Sequence, residues 1–289
     1  MTSHKLVGMV YNPDVAEAAN ILADLVDSLG LHRRCWSSSV DSTEEIREKL
    51  DKTSLIVVAG GDGTILRTVR ISAPFDVPIV GINLGRIGFM TELKVEEAVE
   101  KLPDYLEGNM RVEERMMLEA TVTSGSERRP RMKLQALNEV VMGRGSVARL
   151  HDINTTVDGE PLANYRADAV IVSTATGSTG YALSAGGSII YPEARIVLVQ
   201  PVAAHIGLRD GLVLPEESVI ELTLNDGHPG MLSVDGFLDS SMNANDTVTI
   251  KRGPHMARFL RADPPSSFYA SLTRRLGLAA RLSPGLQDM

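Results

Sequence analysis

The fold of the first part of this chain is decided by the stretch Leu55-Ile56-Val57-Val58-Ala59-Gly60-Gly61-Asp62-Gly63-Thr64. Its opening apolar run predicts a buried strand, because parallel strands that are covered on both faces are continuously apolar. The glycines that follow allow a sharp turn and a close approach of the backbone to a ligand. A helix-like pattern begins after the turn, and the N–H groups at the start of a helix can bind phosphate.

Asp62 is the charged residue of this turn. A carboxylate repels phosphate, so phosphate affinity does not explain its presence. Two roles remain open: Asp62 takes a proton from a hydroxyl group, or it holds a metal ion that bridges phosphates. Arg67 lies one helical turn after Gly63, so it is placed to face the same ligand.

Strand and helix patterns alternate on either side of the opening stretch. A strand over residues 6–11 precedes a helix that ends near Gly30, and Ser42 with Glu45 forms a capping-box pattern that opens another helix. A further strand over residues 77–82 runs into a second glycine-rich loop, residues 83–89, called the second glycine loop below. This alternation predicts an α/β domain with a Rossmann-like parallel sheet. Ligands of such sheets bind at the carboxyl ends of the strands, where both glycine loops lie.

The pattern changes after Arg111, where short strand-like runs follow one another with turn signals between them, such as Asp158-Gly159. This spacing predicts an all-β, sandwich-like second domain. Helical periodicity returns over residues 266–282, and we expect this C-terminal helix to pack back on the first domain, because an amphipathic helix must bury its apolar stripe. The predicted domains are residues 1–95 with 264–289, and residues 96–263.

Composition excludes several classes of protein. The net charge of −8 argues against a nucleic-acid binder, which needs a basic surface for phosphate contacts. Cys35 is the only cysteine, so no intrachain disulfide can form, and this fits a reducing compartment. No signal peptide or run of membrane-spanning length is present, so we expect a cytoplasmic protein without a membrane partner.

A second stretch rich in glycine and hydroxyl side chains runs from Thr174 to Gly187, directly after a strand-like run. Two interpretations are open: the stretch recognises phosphate or ribose, or it is a tight loop of small residues in a β-sandwich. Tyr181 within it either stacks on a base or fills space in the core.

Asn138 and Glu139 interrupt another apolar run. Burying them costs free energy unless they are hydrogen-bonded, so they either contact a polar ligand or one of them faces solvent by strand alternation. Arg166 and Asp168 precede an apolar strand, where a surface ion pair is the common explanation.

Other chemistries find little support. The histidines lack metal-ligand spacing, and we predict no metal-binding residues in the chain. Ser178 does not lie in the GxSxG pattern of a hydrolase nucleophile, and the P-loop pattern GxxxxGK[ST] is absent. Phosphate binding here would therefore be of another type.

Taken in order, these motifs resemble those of the NAD kinase family, whose members use ATP or polyphosphate. Residues 60–64 resemble its GGDGT motif, residues 83–92 its NLGxxGFLTE segment, and Asn138-Glu139 its paired Asn-Glu. Residues 166–187 resemble its RGDG and TPTGSTAY…AGG region. Diacylglycerol kinases, sphingosine kinases and phosphofructokinases carry motifs similar to GGDGT, but the ordered set is much more specific.

The resemblance implies an enzyme that transfers a phosphoryl group from ATP or polyphosphate to the 2′-hydroxyl of the adenosine ribose of NAD, giving NADP. It implies Mg²⁺ or another divalent cation, carried with the phosphoryl donor, and a homodimer or homotetramer. The chain departs from the family pattern at Phe237, where many members have a polar residue, and at Leu208-Arg209-Asp210, which lacks the usual Arg-Pro.

The resemblance also implies roles for single residues. Asp62 would be the general base, the loop with Gly61 and Gly63 would contact phosphates, and Asn138 and Glu139 would contact the ribose, the amide or neighbouring groups of NAD. The remaining implied residues of the dinucleotide site are Arg149, Arg166, Asp168, Thr176, Thr179, Gly180, Tyr181, Ala182, Leu183 and Ser184.

Two other functions compete with this one. A lipid kinase of the diacylglycerol or sphingosine type shares the GGDGT turn, but it does not account for Asn138-Glu139 or residues 176–184, and no basic or amphipathic membrane-docking segment is visible. A non-catalytic dinucleotide-binding sensor would bind NAD or NADP without turnover, and the intact turn around Asp62 argues against it.

Overall fold

The computed structural model describes residues 6–85, 88–125, 129–144, 150–225 and 228–277. The chain divides into two compact units. Unit 1 comprises Met1–Glu113 with Arg258–Met289, and unit 2 comprises Glu114–Ala257. The predicted boundary at residue 95 lies before this division, and the predicted domain limits stay a prediction.

The α-helices of the described residues are distributed over both units. They are α1 (Ala18–Ser28), α2 (Thr43–Lys49), α3 (Asp62–Ser72), α4 (Val95–Glu107), α5 (Tyr181–Ser184) and α6 (Ser267–Arg275). Among them, none is long and apolar enough to cross a membrane.

Unit 1 is built on a parallel sheet. Its strands are β1 (Leu6–Tyr11), β2 (Cys35–Ser39), β3 (Thr53–Ala59), β4 (Ile79–Asn83) and the short β5 (Leu93–Lys94). The order is β2-β1-β3-β4, and β4 also pairs with β5. All but one residue of β3 is buried, as its continuous apolar run predicts.

The core of unit 1 joins the sheet to helices α1 and α4. Val57 and Ala59 of β3 belong to one buried cluster with Leu22 and Leu25 of α1 and Leu102 of α4. The α1 residues recur at helical spacing, so one face of the helix meets the sheet. The predicted α/β domain with a parallel sheet is therefore confirmed.

Unit 2 is all-β apart from short helical turns. The strands of the second part of the chain are β6 (Arg111–Thr123), β7 (Pro130–Ala136), β8 (Glu139–Arg144), β9 (His151–Val157), β10 (Glu160–Ala167), β11 (Ala169–Thr174), β12 (Ile196–Val202), β13 (Leu212–Pro215), β14 (Ile220–Leu224), β15 (Gly230–Val234), β16 (Leu238–Met242) and β17 (Thr247–Arg261). Strand β17 runs across the boundary, and its last residues pair with β4 in parallel within unit 1.

Two antiparallel sheets enclose the core of unit 2. One has the order β13-β12-β11-β8-β15-β16, and the other follows β10-β9-β14-β17-β6-β7. Inward side chains of both sheets form one buried cluster, with Val140 and Val172 from the first and Ile153, Leu222 and Ile250 from the second. Alternate residues of these strands point inward, so the predicted sandwich-like domain is confirmed.

Some strand limits differ from the sequence pattern. The sequence pattern predicts one strand over residues 132–142, but the structure has two, β7 and β8, separated by Leu137 and Asn138. The pattern also predicts two separate strands over 247–251 and 256–260, which the structure joins into the single strand β17. Strands β10, β13 and β16 have no clear apolar signal in the sequence.

The C-terminal helix α6 belongs to unit 1, as predicted. The Arg275 guanidinium at its end lies 4.4 Å from the ring centroid of Phe89, a cation–π distance. The predicted continuation of this helix beyond residue 277 lies outside the described residues.

Candidate functional site

Candidate residues of unit 1 gather where β3 ends and α3 begins. Gly61 is the N-cap of α3, and Asp62 is its first helical residue. Gly61 and Gly63 are exposed. The first N–H groups of a helix have no partner within the helix and carry partial positive charge, so this turn offers donors to an anionic ligand.

The Asp62 carboxylate is held by the second glycine loop. Phe89 N–H donates to its Oδ2 at 2.6 Å, and Met90 N–H donates to its Oδ1 at 2.9 Å. A Cβ added at Gly88 would lie 2.0 Å from Oδ1, so only glycine allows the backbone so close to the carboxylate. Asp62 thereby ties the start of α3 to the loop that follows β4.

These bonds leave Asp62 able to act on a ligand. An ionised carboxylate has about four lone-pair positions, and two N–H donors occupy only part of them. The side chain is only partly buried. A hydroxyl group could therefore donate to the remaining positions, as a general base requires.

Arg67 lies one turn further along α3. Its guanidinium forms an ion pair with Asp41. That Arg67 faces the same ligand as the turn stays a prediction.

A buried arginine forms hydrogen bonds to the residues that directly follow the second glycine loop. Arg261 Nη1 donates to the Met90 carbonyl at 3.1 Å and to Glu92 Oε2 at 2.8 Å. Its Nε and Nη2 both donate to Glu113 Oε1 at 3.2 Å. Burial on its own would lower the pKa of Arg261, but the charges of Glu113 and Glu92 raise it above its usual value. The guanidinium thus stays charged and cross-links three parts of unit 1.

Candidate residues of unit 2 begin at the break between β7 and β8. Thr174 holds this break: its Oγ1 donates to the Leu137 carbonyl at 2.5 Å, and its N–H donates to the Asn138 carbonyl at 2.9 Å. A Cβ at Gly177 would lie 2.2 Å from the Asn138 carbonyl oxygen. The small residues after β11 are therefore needed for close packing against residue 138.

Three buried polar atoms of this region have no hydrogen-bond partner among the residues that the structure describes. They are Asn138 Oδ1, Glu139 Oε2 and Thr176 Oγ1. Native proteins rarely leave such atoms unpaired, so each is a candidate contact for a polar ligand or an ordered water. Glu139 is 8% exposed, so strand alternation does not turn it to solvent.

The Glu139 carboxyl group has an unusual protonation equilibrium. Burial and the nearby charge of Asp235 raise its pKa to about 8, and a hydrogen bond from the Tyr181 N–H partly opposes this. At neutral pH the group is therefore largely protonated, so it can donate as well as accept a hydrogen bond.

The hydroxyl-rich stretch folds into short helical turns beside Asn138 and Glu139. A 3₁₀ helix covers Gly177–Thr179, and α5 begins after Gly180. A Cβ at Gly180 would lie 3.0 Å from Glu139 Oε2, so this backbone packs directly on the carboxyl group.

Side chains of α5 differ in exposure. Tyr181 is 43% exposed, which excludes the interpretation that it fills the core, and leaves its ring open to stacking. Ala182 is instead a core residue packed with Ile171 and Leu198. Leu183 is half-buried, and Ser184 is exposed.

The remaining predicted residues are placed at the end of β10 and beyond. Asp168 pairs with Arg144 at 3.0 Å, so the ion pair of this aspartate is made across strands. Arg166 is exposed on β10. Arg149 lies outside the described residues.

Sequence reasoning did not assign Asp235 to the site. Its carboxylate accepts hydrogen bonds from the N–H groups of Leu137, Asn138 and Glu139 at 2.8, 2.8 and 3.0 Å. The Asp-Gly pair that it forms with Gly236 is a turn signal, which gives no hint of the contacts with residues 137–139. Phe237 in the same turn is 41% exposed.

Metal binding by the protein alone finds no support in the part of the chain that the structure describes. No group of three or more His, Cys, Asp or Glu side chains lies close enough there to hold a metal ion.

Family models match both units. A model described as ATP-NAD kinase N-terminal domain matches residues 10–110, and one described as ATP-NAD kinase C-terminal domain matches residues 137–262. The NAD kinase of Dehalococcoides mccartyi is 37% identical over 276 residues, which cover 94% of this chain and 96% of that protein. The NAD kinase of Chloroflexus aurantiacus is 33% identical over 273 residues, covering 93% and 98%.

Solved structures are similar as well. An NAD kinase from Archaeoglobus fulgidus, in complex with ATP, superposes with a TM-score of 0.74 at 26% identity, covering 94% of this chain and 98% of that one. Yeast NADH kinase, complexed with NADH, has a TM-score of 0.83 at 21% identity, covering 99% and 90%. At 21% identity, the similarity to yeast NADH kinase shows a shared fold only.

Proposed function

The chain belongs to the NAD kinase family, and from this premise we propose how its residues carry out the phosphorylation of NAD. Family membership makes the chain a phosphotransferase that converts NAD to NADP. The proposal adds that the acceptor is the 2′-hydroxyl of the adenosine ribose and that Asp62 is the general base. One observation carries it: two N–H bonds hold the Asp62 carboxylate at the carboxyl end of β3, with acceptor positions left over.

The proposed step is a direct transfer. The O–H bond of the ribose hydroxyl breaks, its proton passes to Asp62, and the hydroxyl oxygen forms a new bond to phosphorus. The bond between the γ-phosphorus and the donor breaks, releasing ADP or a shortened polyphosphate. Because phosphoryl transfer needs alignment and charge stabilisation more than covalent help, a fixed carboxylate suits this role.

Residues of unit 2 are proposed to bind the dinucleotide. The unpaired Asn138 Oδ1, Glu139 Oε2 and Thr176 Oγ1 would accept or exchange hydrogen bonds with ribose hydroxyls and the amide. The exposed ring of Tyr181 would stack on a base. Arg166, Asp168 and Thr179 to Ser184 remain proposed contacts by resemblance.

A divalent cation, proposed to be Mg²⁺, would come with the phosphoryl donor. Mg²⁺ usually keeps several waters and binds largely through substrate phosphates, so it can arrive with the donor without a dedicated set of protein ligands. When bound, the ion neutralises charge on the transferred phosphate. Whether ATP or polyphosphate is the better donor is tested with both.

Conversion of NAD to NADP tests the proposal. Purified protein with NAD, Mg²⁺ and either ATP or polyphosphate should form NADP, and chelation of the cation should stop the reaction. Asp62→Asn should lower kcat by about two orders of magnitude or more, the usual contribution of general base catalysis, while the far-UV spectrum stays unchanged.

Other results would point elsewhere. Full activity of the Asp62→Asn variant would remove Asp62 from the role of base. NAD binding without product from any donor would favour a sensor, and phosphorylation of lipid in vesicles in place of NAD would favour a lipid kinase.

Assembly and location complete the proposal. By family resemblance we propose a homodimer or homotetramer, which light scattering of the purified chain measures directly. We propose a cytoplasmic location, which the single cysteine supports and which cell fractionation tests.

A further inference from the structure

We propose that Asp235 is a positioning residue for the dinucleotide: its carboxylate fixes the segment Leu137–Glu139 so that the Asn138 and Glu139 side chains face the ligand. This inference rests on the proposed function, because it takes unit 2 to bind NAD. Asp235 does not itself touch the ligand in this proposal, and it acts through the backbone of the two residues that do.

Hydrogen bonds run in both directions between Asp235 and the segment Leu137–Glu139, and this set of bonds is called the clamp below. Its Oδ2 accepts from Leu137 N–H at 2.8 Å, and its Oδ1 accepts from Asn138 N–H at 2.8 Å and from Glu139 N–H at 3.0 Å. In the other direction, the Asp235 N–H donates to the Glu139 carbonyl at 3.0 Å. Successive N–H groups normally point to opposite sides of a strand, so one carboxylate that takes three of them stabilises a break in the strand.

This break is what orients the candidate ligand contacts. Between β7 and β8 the chain stops pairing at Leu137 and Asn138. Asn138 is partly buried and Glu139 is buried, and neither Asn138 Oδ1 nor Glu139 Oε2 has a hydrogen-bond partner among the described residues. A regular strand through this point would send the two side chains to opposite faces of the sheet. The clamp therefore lets both side chains serve one ligand.

The position of Asp235 is itself specialised. Its φ is 51°, a left-handed conformation that aspartate and asparagine tolerate better than most residues, and the residue is 7% exposed. The register of β15 with β8 pairs Val234 with Val140, which brings the next residue, Asp235, beside Glu139. A left-handed backbone at a buried, charged residue costs free energy. The need to position Leu137–Glu139 explains why the protein keeps aspartate there.

The negative charge of Asp235 gives the clamp a second readout. Burial is the largest cause that raises the pKa of Glu139, and the charge of Asp235 is the next largest. The hydrogen bond from the Tyr181 N–H lowers this pKa. Replacement of Asp235 by asparagine removes the charge but keeps the shape, so the pKa of Glu139 should fall. A role in folding alone would not move this titration.

The test compares Asp235→Asn with wild type in NAD binding by calorimetry and in steady-state kinetics across pH. Asparagine puts a donor where an acceptor is needed, so one charge-assisted bond or more is lost, and we expect NAD affinity to fall about tenfold or more. The KM for the phosphoryl donor should stay within about twofold. The pH midpoint of NAD binding should move to lower pH.

Asp246→Asn is the matched control. Asp246 is also buried in unit 2, and its carboxylate accepts N–H bonds from Gly125 at 3.0 Å and Asn243 at 2.9 Å, away from residues 137–139. The Asp246→Asn variant should lose about as much stability to urea denaturation as Asp235→Asn. Its NAD affinity and the pH midpoint of NAD binding should match those of wild type. Equal effects of both variants on NAD binding would overturn the inference.

A second variant covers the case in which Asp235→Asn does not fold. Asp235→Glu keeps the charge but misplaces the carboxylate, so NAD affinity should fall while the pH midpoint stays near that of wild type. Wild-type affinity in both variants also contradicts the inference. If the wild type binds NAD but forms no NADP, the proposed function is wrong, and the effect of the Asp235 variants on NAD binding can still be compared. If the wild type does not bind NAD, both the proposed function and the inference about Asp235 are wrong.

Discussion

At the scale of single residues, three carboxyl groups differ in behaviour because their surroundings differ. Asp62 accepts two backbone N–H bonds and is only partly buried, so acceptor positions remain for a ligand. Asp235 accepts three such bonds in a buried turn. Glu139 has an unpaired oxygen and a pKa raised to about 8. The first suits proton transfer, the second suits positioning, and the third suits a neutral contact with a polar ligand.

Glu139 should make stability depend on pH. Its folded pKa of about 8 exceeds its ordinary value of 4.5, so between these values the folded chain holds a proton that the unfolded chain has released. The free energy of unfolding contributed by Glu139 therefore falls with rising pH in this window, by up to about 1.4 kcal/mol per pH unit, and levels off above it. Glu139→Gln removes this slope, which urea denaturation at a series of pH values measures.

The surface substitution Glu217→Gln is the control, since Glu217 is exposed. It should keep the wild-type slope. If Glu139→Gln also kept that slope, the carboxyl group would not be protonated in the folded chain at neutral pH.

At the scale of elements, turns that follow buried strands carry the candidate chemistry. In unit 1 the turn after β3 and the loop after β4 meet at Asp62, and in unit 2 the end of β11 meets the break between β7 and β8 through Thr174. The apolar runs predicted most of these strands. The break at residue 138 was not predicted, because an apolar run does not record where hydrogen-bond pairing stops.

Gly88→Ala tests the packing of the second glycine loop on Asp62. The added methyl group would lie 2.0 Å from Asp62 Oδ1, and because two N–H bonds hold the carboxylate, it cannot yield without breaking them. A displacement of about 1 Å at a catalytic group can cost about 100-fold, so we expect a loss of that order in the kcat of NADP formation.

Gly85→Ala is the control in the same loop. A methyl group at Gly85 would meet no atom of the described part of the chain within 4 Å. Its kcat should match wild type, and equal losses in both variants would mean that the loop, not its contact with Asp62, limits activity.

At the scale of the whole molecule, the last strand completes unit 1. Strand β17 leaves unit 2 after Ala257, and its last residues return to pair with β4 at Phe259 and Ile79. Arg261 at its end joins Glu92, Glu113 and the Met90 carbonyl. The end of β17 is therefore held in unit 1 by buried charge as well as by strand pairing.

Arg261→Met should destabilise the protein strongly. Removal of the guanidinium leaves two glutamates in a buried location without this partner, and breaking a buried ion pair costs about 3–5 kcal/mol. Arg111 also contacts Glu113 at 3.2 Å, which favours the lower end of that range. Urea denaturation measures the loss.

Arg258→Met on the same strand is the control. Arg258 pairs with Asp76 at 2.9 Å, but the aspartate is 64% exposed, and exposed pairs contribute about 1 kcal/mol or less. A comparable loss in the two variants would contradict the distinction between the buried and the exposed pair.

Local patterns in the chain were enough to predict the two kinds of domain and the main candidate residues. Helix and strand periods follow from backbone geometry, so alternation in unit 1 and closely spaced strands in unit 2 were visible locally. Asp62 and the pair Asn138-Glu139 stood out because charge or polarity interrupted an apolar or glycine pattern. Such signals depend only on neighbours in the chain.

The contacts that these residues make depend on the folded structure and could not be predicted from local patterns. Asp235 reaches Leu137–Glu139 across nearly a hundred residues because the register of β15 on β8 brings Val234 beside Val140. Arg67 pairs with Asp41, and Arg261 joins Glu92 and Glu113, for similar reasons. Which strands become neighbours, and in which register, follows from packing of the whole unit, so local periodicity does not contain these contacts.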